Sequence, residues 1–382
     1  MRLTHDLRRG GTAHRRVFRP VAAAATGALL ITAAACGGTS GNGSGSADAY
    51  YKGKTIHMIV PTDAGGTVDT AGRFLALFLT KHLEGNPKVV IDNITGGNQL
   101  VGANEYAQKR KHDGTELFIN GNGTNLIQLL GHPQKHFDYK NYEPLIAFGG
   151  NALVMSNTKS GGIKSPADLV GGPRVPVFGG TSASGTDLPN VVALEMLGIN
   201  YKPVFGYESN QALVVAIQQG EVDLHSDSTQ SYLREFKDQI ASGEIAPIYS
   251  YGPMNPDGTF ARDKLIPDVP SVPEVYKQLH GTDPPDSLAF RAYKAIIASR
   301  ALANVLWIFN DAPEEAKTAL KDAIAKSIAD PEFTKGLEAA VGGNEPNTGD
   351  EIQPALQAVL NPEPQVVQWI KDFLKTKFDI KL

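Results

Sequence analysis

Three short loops hold most of the residues that could do chemistry in this chain. Val60-Pro61-Thr62-Asp63-Ala64-Gly65-Gly66-Thr67-Val68-Asp69 closes one apolar run, Ile119-Asn120-Gly121-Asn122-Gly123-Thr124-Asn125 closes a second, and Gly179-Gly180-Thr181-Ser182-Ala183-Ser184-Gly185-Thr186-Asp187 follows a third. Each stands between a strand-like run and a helical stretch. Glycines there let backbone N–H groups point outward at the start of a helix, where the helix dipole adds partial positive charge. Such a loop suits an anion, and a carboxylate is enough; in the second loop Asn122 and Thr124 are the candidate contacts. The competing reading of any one loop is a tight turn that needs glycine for its backbone angles. None matches GxxxxGK[ST] or GxGxxG, which speaks against a nucleotide.

Other chemistries have less behind them. His132 and His136 have helical i, i+4 spacing, but Pro133 lies between them and no third ligand is near, so they read as loop residues and no metal or cofactor is expected. Asp223, His225 and Asp227 alternate along a strand end. Ser184, His225 and Asp227 make a hydrolase grouping on paper, without supporting spacing and without a GxSxG elbow. No catalytic residue is assigned.

The elements that carry these loops alternate. TIHMIV (55–60), KVVID (88–92) and ELFIN (116–120) read as strands, with helices over 68–83 and 99–111. RVPVF (174–178) leads to a helix near 187–197, and a strand near 201–205 leads to a helix over 209–219 that Gly220 stops. VDLH (222–225) and IAPIYS (245–250) complete this set, and the part after about 311 is mostly helical. Ser165-Pro166-Ala167-Asp168 has the order of a helix start, with Ser as the cap. This alternation predicts βαβ units, largely parallel sheets and an α/β fold. In open α/β sheets, ligands bind outside the carboxyl ends of the strands, so three such loops spread over two domains predict a cleft between the domains. The apolar runs at 145–155 and 289–298 are candidates for the strands that cross between them.

The N-terminus reads as an export signal. Six arginines precede an apolar run from Val21 to Ala35, and Ala33-Ala34-Ala35 leads directly into Cys36, the only cysteine. The pattern is that of a bacterial lipoprotein signal, with Ala33 where Leu is usual; an ordinary cleaved signal with an incidental Cys is the alternative. The apolar run has 15 residues, short of the roughly 20 that a membrane span needs. Arg15-Arg16-Val17-Phe18 fits the start of a twin-arginine signal. Residues 36–49 are Gly/Ser-rich and read as a flexible tether, which makes sense after a lipid-bearing Cys36. The whole chain has 36 basic and 40 acidic residues; residues 1–35 hold six Arg and one Asp, which leaves 30 and 39, a net charge of −9 over 347 residues. That charge disfavours nucleic acid. Without a further cysteine the mature chain has no internal disulfide and no thiolate metal site.

Taken together, IVPTDAGGTVDTAGR (59–73), DNITGGNQLVGANEYAQ (92–108), HDGTELFINGNGT (112–124), GGTSASGTD (179–187), QQGEVDLHSD (218–227) and PDVPSVPEV (267–275) resemble the extracytoplasmic receptors of tripartite tricarboxylate transporters, the Bug-type family. The resemblance runs from about Tyr51 to the C-terminus. It implies a type II periplasmic-binding-protein fold, two α/β domains with the ligand in the cleft, divided as 50–150 with 287–382 and 151–286. The implied grip on a ligand carboxylate consists of Ala64, Gly65, Gly66, Thr67 and Asp69 in one loop and Thr181, Ser182, Ser184, Gly185 and Thr186 in the other, with Asp227 after the VDL strand. Asp187 stands where the family often has a His, which makes a second ligand carboxylate less welcome there. The mature chain has seven arginines, consistent with capture by N–H groups and hydroxyls rather than an Arg clamp. The implied protein is a monomeric, lipid-anchored extracytoplasmic receptor that captures a small organic carboxylate and delivers it to membrane permease subunits. A sensory receptor read by a membrane partner and a secreted hydrolase are the alternatives.

Overall fold

In the computed structural model, residues 50–382 apart from 173 and 256 are described. The signal, Cys36 and the 36–49 tether lie outside the described residues.

The strands in chain order are β1 (Thr55–Val60), β2 (Lys88–Asn93), β3 (Glu116–Ile119), β4 (Tyr142–Phe148), β5 (Ala152–Asn157), β6 (Val177–Gly179), β7 (Lys202–Val204), β8 (Leu224–Ser228), β9 (Ile245–Ser250) and β10 (Asn304–Phe309). They form two five-stranded sheets, β2-β1-β3-β10-β4 and β7-β6-β8-β5-β9. The α/β alternation read from the sequence holds. The helices Thr67–His82, Leu100–Lys109, Leu188–Leu197 and Asn210–Gln219 follow β1, β2, β6 and β7.

The sheets are less parallel than expected. β1 pairs in parallel with β2 and β3, and β6 with β7 and β8. β10 is antiparallel to β3 and β4, and β5 is antiparallel to β8 and β9. The cause is in the connections. Gly149-Gly150-Asn151 carries the chain from β4 in the first sheet directly to β5 in the second, and residues 251–303 return it from β9 to β10. Each passage inserts one strand against the run of its new sheet.

Two local readings change. The run at 289–298 is the helix Leu288–Ala298, not a strand. Ser287 accepts a hydrogen bond from Phe290 N–H and caps it. Ala292, Tyr293, Ile296 and Ile297 are buried on one stripe, a helical repeat that the apolar composition conceals. This helix packs on both Leu188–Leu197 and Pro364–Phe378. The strand that does lie between β3 and β4 is β10, NVLWIF, buried along its whole length. At 165–168 the roles are reversed: Asp168 Oδ2 accepts from Lys164 N–H, Ser165 N–H and the Ser165 hydroxyl, and Ala167 is the residue at the cap of a four-residue helix.

The register brings the loops to one place. The carboxyl ends of β1, β2, β3 and β4 and the start of β10 share one edge of the first sheet, because β10 runs opposite to the others. The ends of β6, β8 and β9 and the start of β5 share one edge of the second sheet, where Ala152 pairs with Ser228 and Leu153 with Ser250.

Candidate functional site

These two edges face each other. Thr67 Oγ1, at the first turn of its helix, lies 3.3 Å from Ser228 Oγ at the end of β8. At Gly185 a Cβ would fall 2.3 Å from Asn98 Nδ2, so the Asn98 side chain reaches across from the 94–99 loop to the 179–187 loop. The cleft is therefore bounded at these points by Thr67 and Asn98 on one side and by Gly185 and Ser228 on the other. Two other surface depressions, one lined by Gln128, Leu360 and Lys371 and one by Glu143, Lys321 and Gln353, contain none of the loop residues.

Each gripping loop is built around its own aspartate. After β1, Gly65 takes a left-handed turn at φ 83°, a conformation that glycine adopts without strain. Gly65 N–H then donates to Asp69 Oδ2 at 2.8 Å. Asp69 also accepts from Arg73 Nε at 2.8 Å and Asn93 Nδ2 at 2.9 Å, and is 1% exposed. Burial pushes its carboxyl up, but the bonds from Arg73, Gly65 and Asn93 outweigh that and hold it below the usual aspartate value. After β6, Asp187 Oδ2 accepts from Thr181 N–H at 2.7 Å and Ser182 N–H at 3.1 Å, and Oδ1 from the Ser226 hydroxyl at 3.1 Å. Asp187 is 3% exposed, and burial raises its carboxyl above the usual value against the pull of Ser182 N–H, His225 and Thr181 N–H.

Several expected contacts change as a result. Asp69 and Thr124, expected at the ligand, are sealed beneath their loops. Thr124 is fully buried; its N–H donates to Gln99 Oε1, its hydroxyl donates to Gly121 O, and Tyr139 Oη donates to that hydroxyl. The N–H groups of Thr181 and Ser182 point at Asp187 rather than outward. Ser182, Ser184 and Thr186 remain part-exposed hydroxyls: Ser184 Oγ is 3.3 Å from Ser182 Oγ, and Thr186 Oγ1 is 3.1 Å from Thr181 Oγ1. Gly185 N–H is turned back to Ser182 O. Ala64 and Gly65 are exposed, Gly66 and Thr67 half-buried. Asn122 begins the helix after β3, and its Oδ1 is buried without a partner.

Asp227 accepts from Asn210 Nδ2 at 2.7 Å and Ser228 N–H at 2.6 Å. It is not the cap of the next helix; Ser228 is, accepting from Ser231 N–H. Ser184, His225 and Asp227 share no hydrogen bond among the described residues. His225 is fully buried, and burial holds it below the ordinary imidazole range against the pull of Asp227, Asp187 and the Gly179 backbone. No group of three His, Cys, Asp or Glu able to hold a metal occurs among the described residues, and no helix there is long and apolar enough to cross a membrane.

Sequence reasoning missed Asn98 and Gln99 as site residues. Both sit at positive φ, 53° and 78°, where L-residues are uncommon. The signal was the Gly96-Gly97-Asn98-Gln99 run, polar and glycine-rich at a strand-to-helix junction like the other three loops.

No family model matches the chain. It is 26% identical over 294 residues to a UPF0065 protein from the TAR-I ttuE-ttuC' intergenic region of Agrobacterium vitis, covering 74% of this chain and 73% of that one. Among solved structures it superposes on the periplasmic binding protein BugD with a TM-score of 0.61 at 19% identity, covering 85% of this chain and 98% of that one. A Rhodopseudomonas palustris protein, Rpa4515, solved with adipate, gives a TM-score of 0.61 at 20% identity over 85% of this chain and 97% of that one. The structural neighbours are thus Bug- and TctC-type periplasmic binding proteins of the tripartite tricarboxylate class, as the motifs suggest, and this chain has their two-domain α/β fold.

Proposed function

We propose that this chain is an extracytoplasmic solute receptor of the Bug type, lipid-anchored through Cys36, that closes on a small organic carboxylate and delivers it to a tripartite tricarboxylate-type permease. The observation that carries this reading is the facing of two strand-to-helix loops from different sheets, Ala64–Thr67 and Thr181–Thr186, across a cleft that Thr67–Ser228 and Asn98–Gly185 nearly close. Ser182, Ser184 and Thr186 supply hydroxyl donors, and the helices beginning at Thr67 and Leu188 supply the positive ends of two dipoles. Capture is by binding without turnover, as in the periplasmic binding protein on which the chain superposes. Asp69 and Asp187 act as positioning groups that hold the loops in shape before a ligand arrives.

The test is native mass spectrometry of the purified protein, followed by calorimetric titration with the acid it carries and with that acid's amide. The acid binds and the amide binds at least tenfold more weakly. Equal affinity for the two would remove the carboxylate reading while leaving the fold untouched. For the anchor, Cys36→Ser moves the protein from the membrane to the soluble fraction; retention in the membrane would rule the anchor out.

A further inference from the structure

Thr186, one of the hydroxyls assigned to the ligand, is tied to the aspartate beneath its loop. Thr186 Oγ1 lies 3.1 Å from Thr181 Oγ1, and the Thr181 hydroxyl donates to Asp187 Oδ2 at 3.2 Å. A hydroxyl has one proton to donate. Facing an ionised Asp187, Thr181 directs its proton to the carboxylate. The contact between the two threonines is then a hydrogen bond only if Thr186 donates to Thr181. Bonds to an ionised acceptor are roughly twice as strong as neutral ones, so the negative charge holds the chain in this direction. Thr186 is left with lone pairs toward the cleft, and a carboxylate cannot bond to them.

The two oxygens of Asp187 are not equivalent. Oδ2 accepts from Thr181 N–H and Ser182 N–H as well as from the Thr181 hydroxyl, whereas Oδ1 has the Ser226 hydroxyl at 3.1 Å. Ser226 bonds in turn to the Tyr251 hydroxyl. A proton on Oδ1 fits this arrangement: Asp187 donates to Ser226, and Ser226 turns its own proton to Tyr251. Oδ2 keeps its two N–H donors but loses its charge. Thr181 is then released to donate to Thr186, and Thr186 to donate into the cleft.

The surroundings of Asp187 favour that proton. It is 3% exposed, and burial raises its carboxyl above the usual value. No lysine or arginine pairs with it among the described residues. On β8 it shares His225, which burial keeps neutral, with the like-charged Asp227. Tyr251, after β9, has the Arg300 guanidinium 5.4 Å from its ring centre. The helices Val272–His280 and Leu288–Ala298, packed on Leu188–Leu197, direct their charges elsewhere. Glu274 pairs with Arg262, Lys277 with Asp283 and Arg291 with Glu363; Lys294 lies over the Phe290 ring, and His280 contacts Leu197 O at the other end of the helix. A ligand carboxylate above the loop adds a second negative charge, which favours the protonated form further.

We propose that Asp187 is a positioning residue that takes up a proton from water when the receptor takes up its carboxylate, with Thr181 passing the change to Thr186. This rests on the receptor reading above, with the hydroxyls at 182–186 as the grip. Capture is then linked to pH. Affinity is highest where Asp187 is already protonated in the free protein and falls as pH rises beyond that point, by at most about tenfold per pH unit for one proton. It levels off once Asp187 is ionised in the complex as well.

The test titrates the full mature protein calorimetrically with mono- and dicarboxylic acids of two to six carbons over a series of pH values, in buffers of different ionisation enthalpy. In the parent, affinity for an acid that binds falls as pH rises, and in the falling range up to one proton is taken up per acid bound. Asp187→Asn, which has the shape of the protonated form, takes up none, and its affinity follows only the titration of the acid itself. Thr181→Val keeps the charge and cuts the chain; it loses most of the parent's pH slope, and it decides the matter even if Asp187→Asn melts well below the parent. A parent slope no steeper than that of Asp187→Asn overturns the proposal and leaves the carboxylate reading standing, with His225 the nearest group to carry a shared slope. A slope that survives Thr181→Val unchanged overturns the hydroxyl chain. A parent that binds none of these acids at any pH overturns the carboxylate reading, and the proposal with it.

Discussion

The loops after β1 and β6 solve one problem with different electrostatics. Both must hold a glycine-rich turn open at the start of a helix, and both do so with an aspartate that accepts backbone N–H bonds from its own loop. Asp69 is joined by Arg73, one helical turn on, and sits below the usual aspartate value. Asp187 has no cation. Its nearest basic neighbour is His225, which burial keeps neutral, and its carboxyl is pushed above the usual value. The first loop is thus a charge-balanced brace, and the second holds an uncompensated negative charge beneath a row of hydroxyls. Backbone N–H groups that already have a carboxylate are poor donors to a ligand. In the second loop the hydroxyls of Ser182, Ser184 and Thr186 are left to do the gripping.

The largest effect should come from those hydroxyls. Ser184→Ala with Thr186→Val removes two donors, each worth about 1.5–3 kcal/mol to a carboxylate, and affinity for the ligand falls on the order of 100-fold or more. Melting stays close to the parent, because these part-exposed hydroxyls bond mainly to one another. Calorimetry showing parent-like binding would mean that the second loop is not the grip.

A smaller effect, on stability rather than affinity, is expected at the brace. Asp69→Asn sets an amide N–H against the donors of Gly65, Arg73 or Asn93 and costs about 2 kcal/mol. The Arg73 ion pair adds little to this, since the arginine side chain is 54% exposed. Denaturant melts that coincide with the parent's would show that the loop does not depend on its aspartate.

The smallest effect should be at Asp187→Asn, which keeps the shape, removes a buried uncompensated charge and changes stability by less than about 1 kcal/mol at neutral pH. Acid then separates the two sites. Asp187 has a folded pKa above the ordinary 3.8, so the cost of its charge is present above that folded value and disappears as pH falls through it. Asp69 has a folded pKa below 3.8, so its contribution is complete above 3.8 and is lost only as pH falls through the lower value. As pH falls through the raised folded value of Asp187 the parent should gain on Asp187→Asn, while above 3.8 it keeps its lead over Asp69→Asn. Parallel pH curves for the two variants would erase the distinction drawn between the loops.

Much of this could be read along the chain, because the signals were local. Periodicity placed the helix at 188–197 and the strand at 245–250, Gly220 marked a helix end, and the glycine-rich loops announced strand-to-helix junctions. PDVPSVPEV, the most telling motif of the resemblance, turns out to be scaffolding: Ser271 and Glu274 form a capping box for the helix Val272–His280. Local spacing also selected which loops to watch. It could not say where their N–H groups point, because that depends on whether Asp69 and Asp187 face the ligand or the loop, and burial decides that. Nor could it separate the helix at 288–298 from the strand at 304–309, two apolar runs whose identities are settled by partners far along the chain, Leu188–Leu197 for one and β3 and β4 for the other.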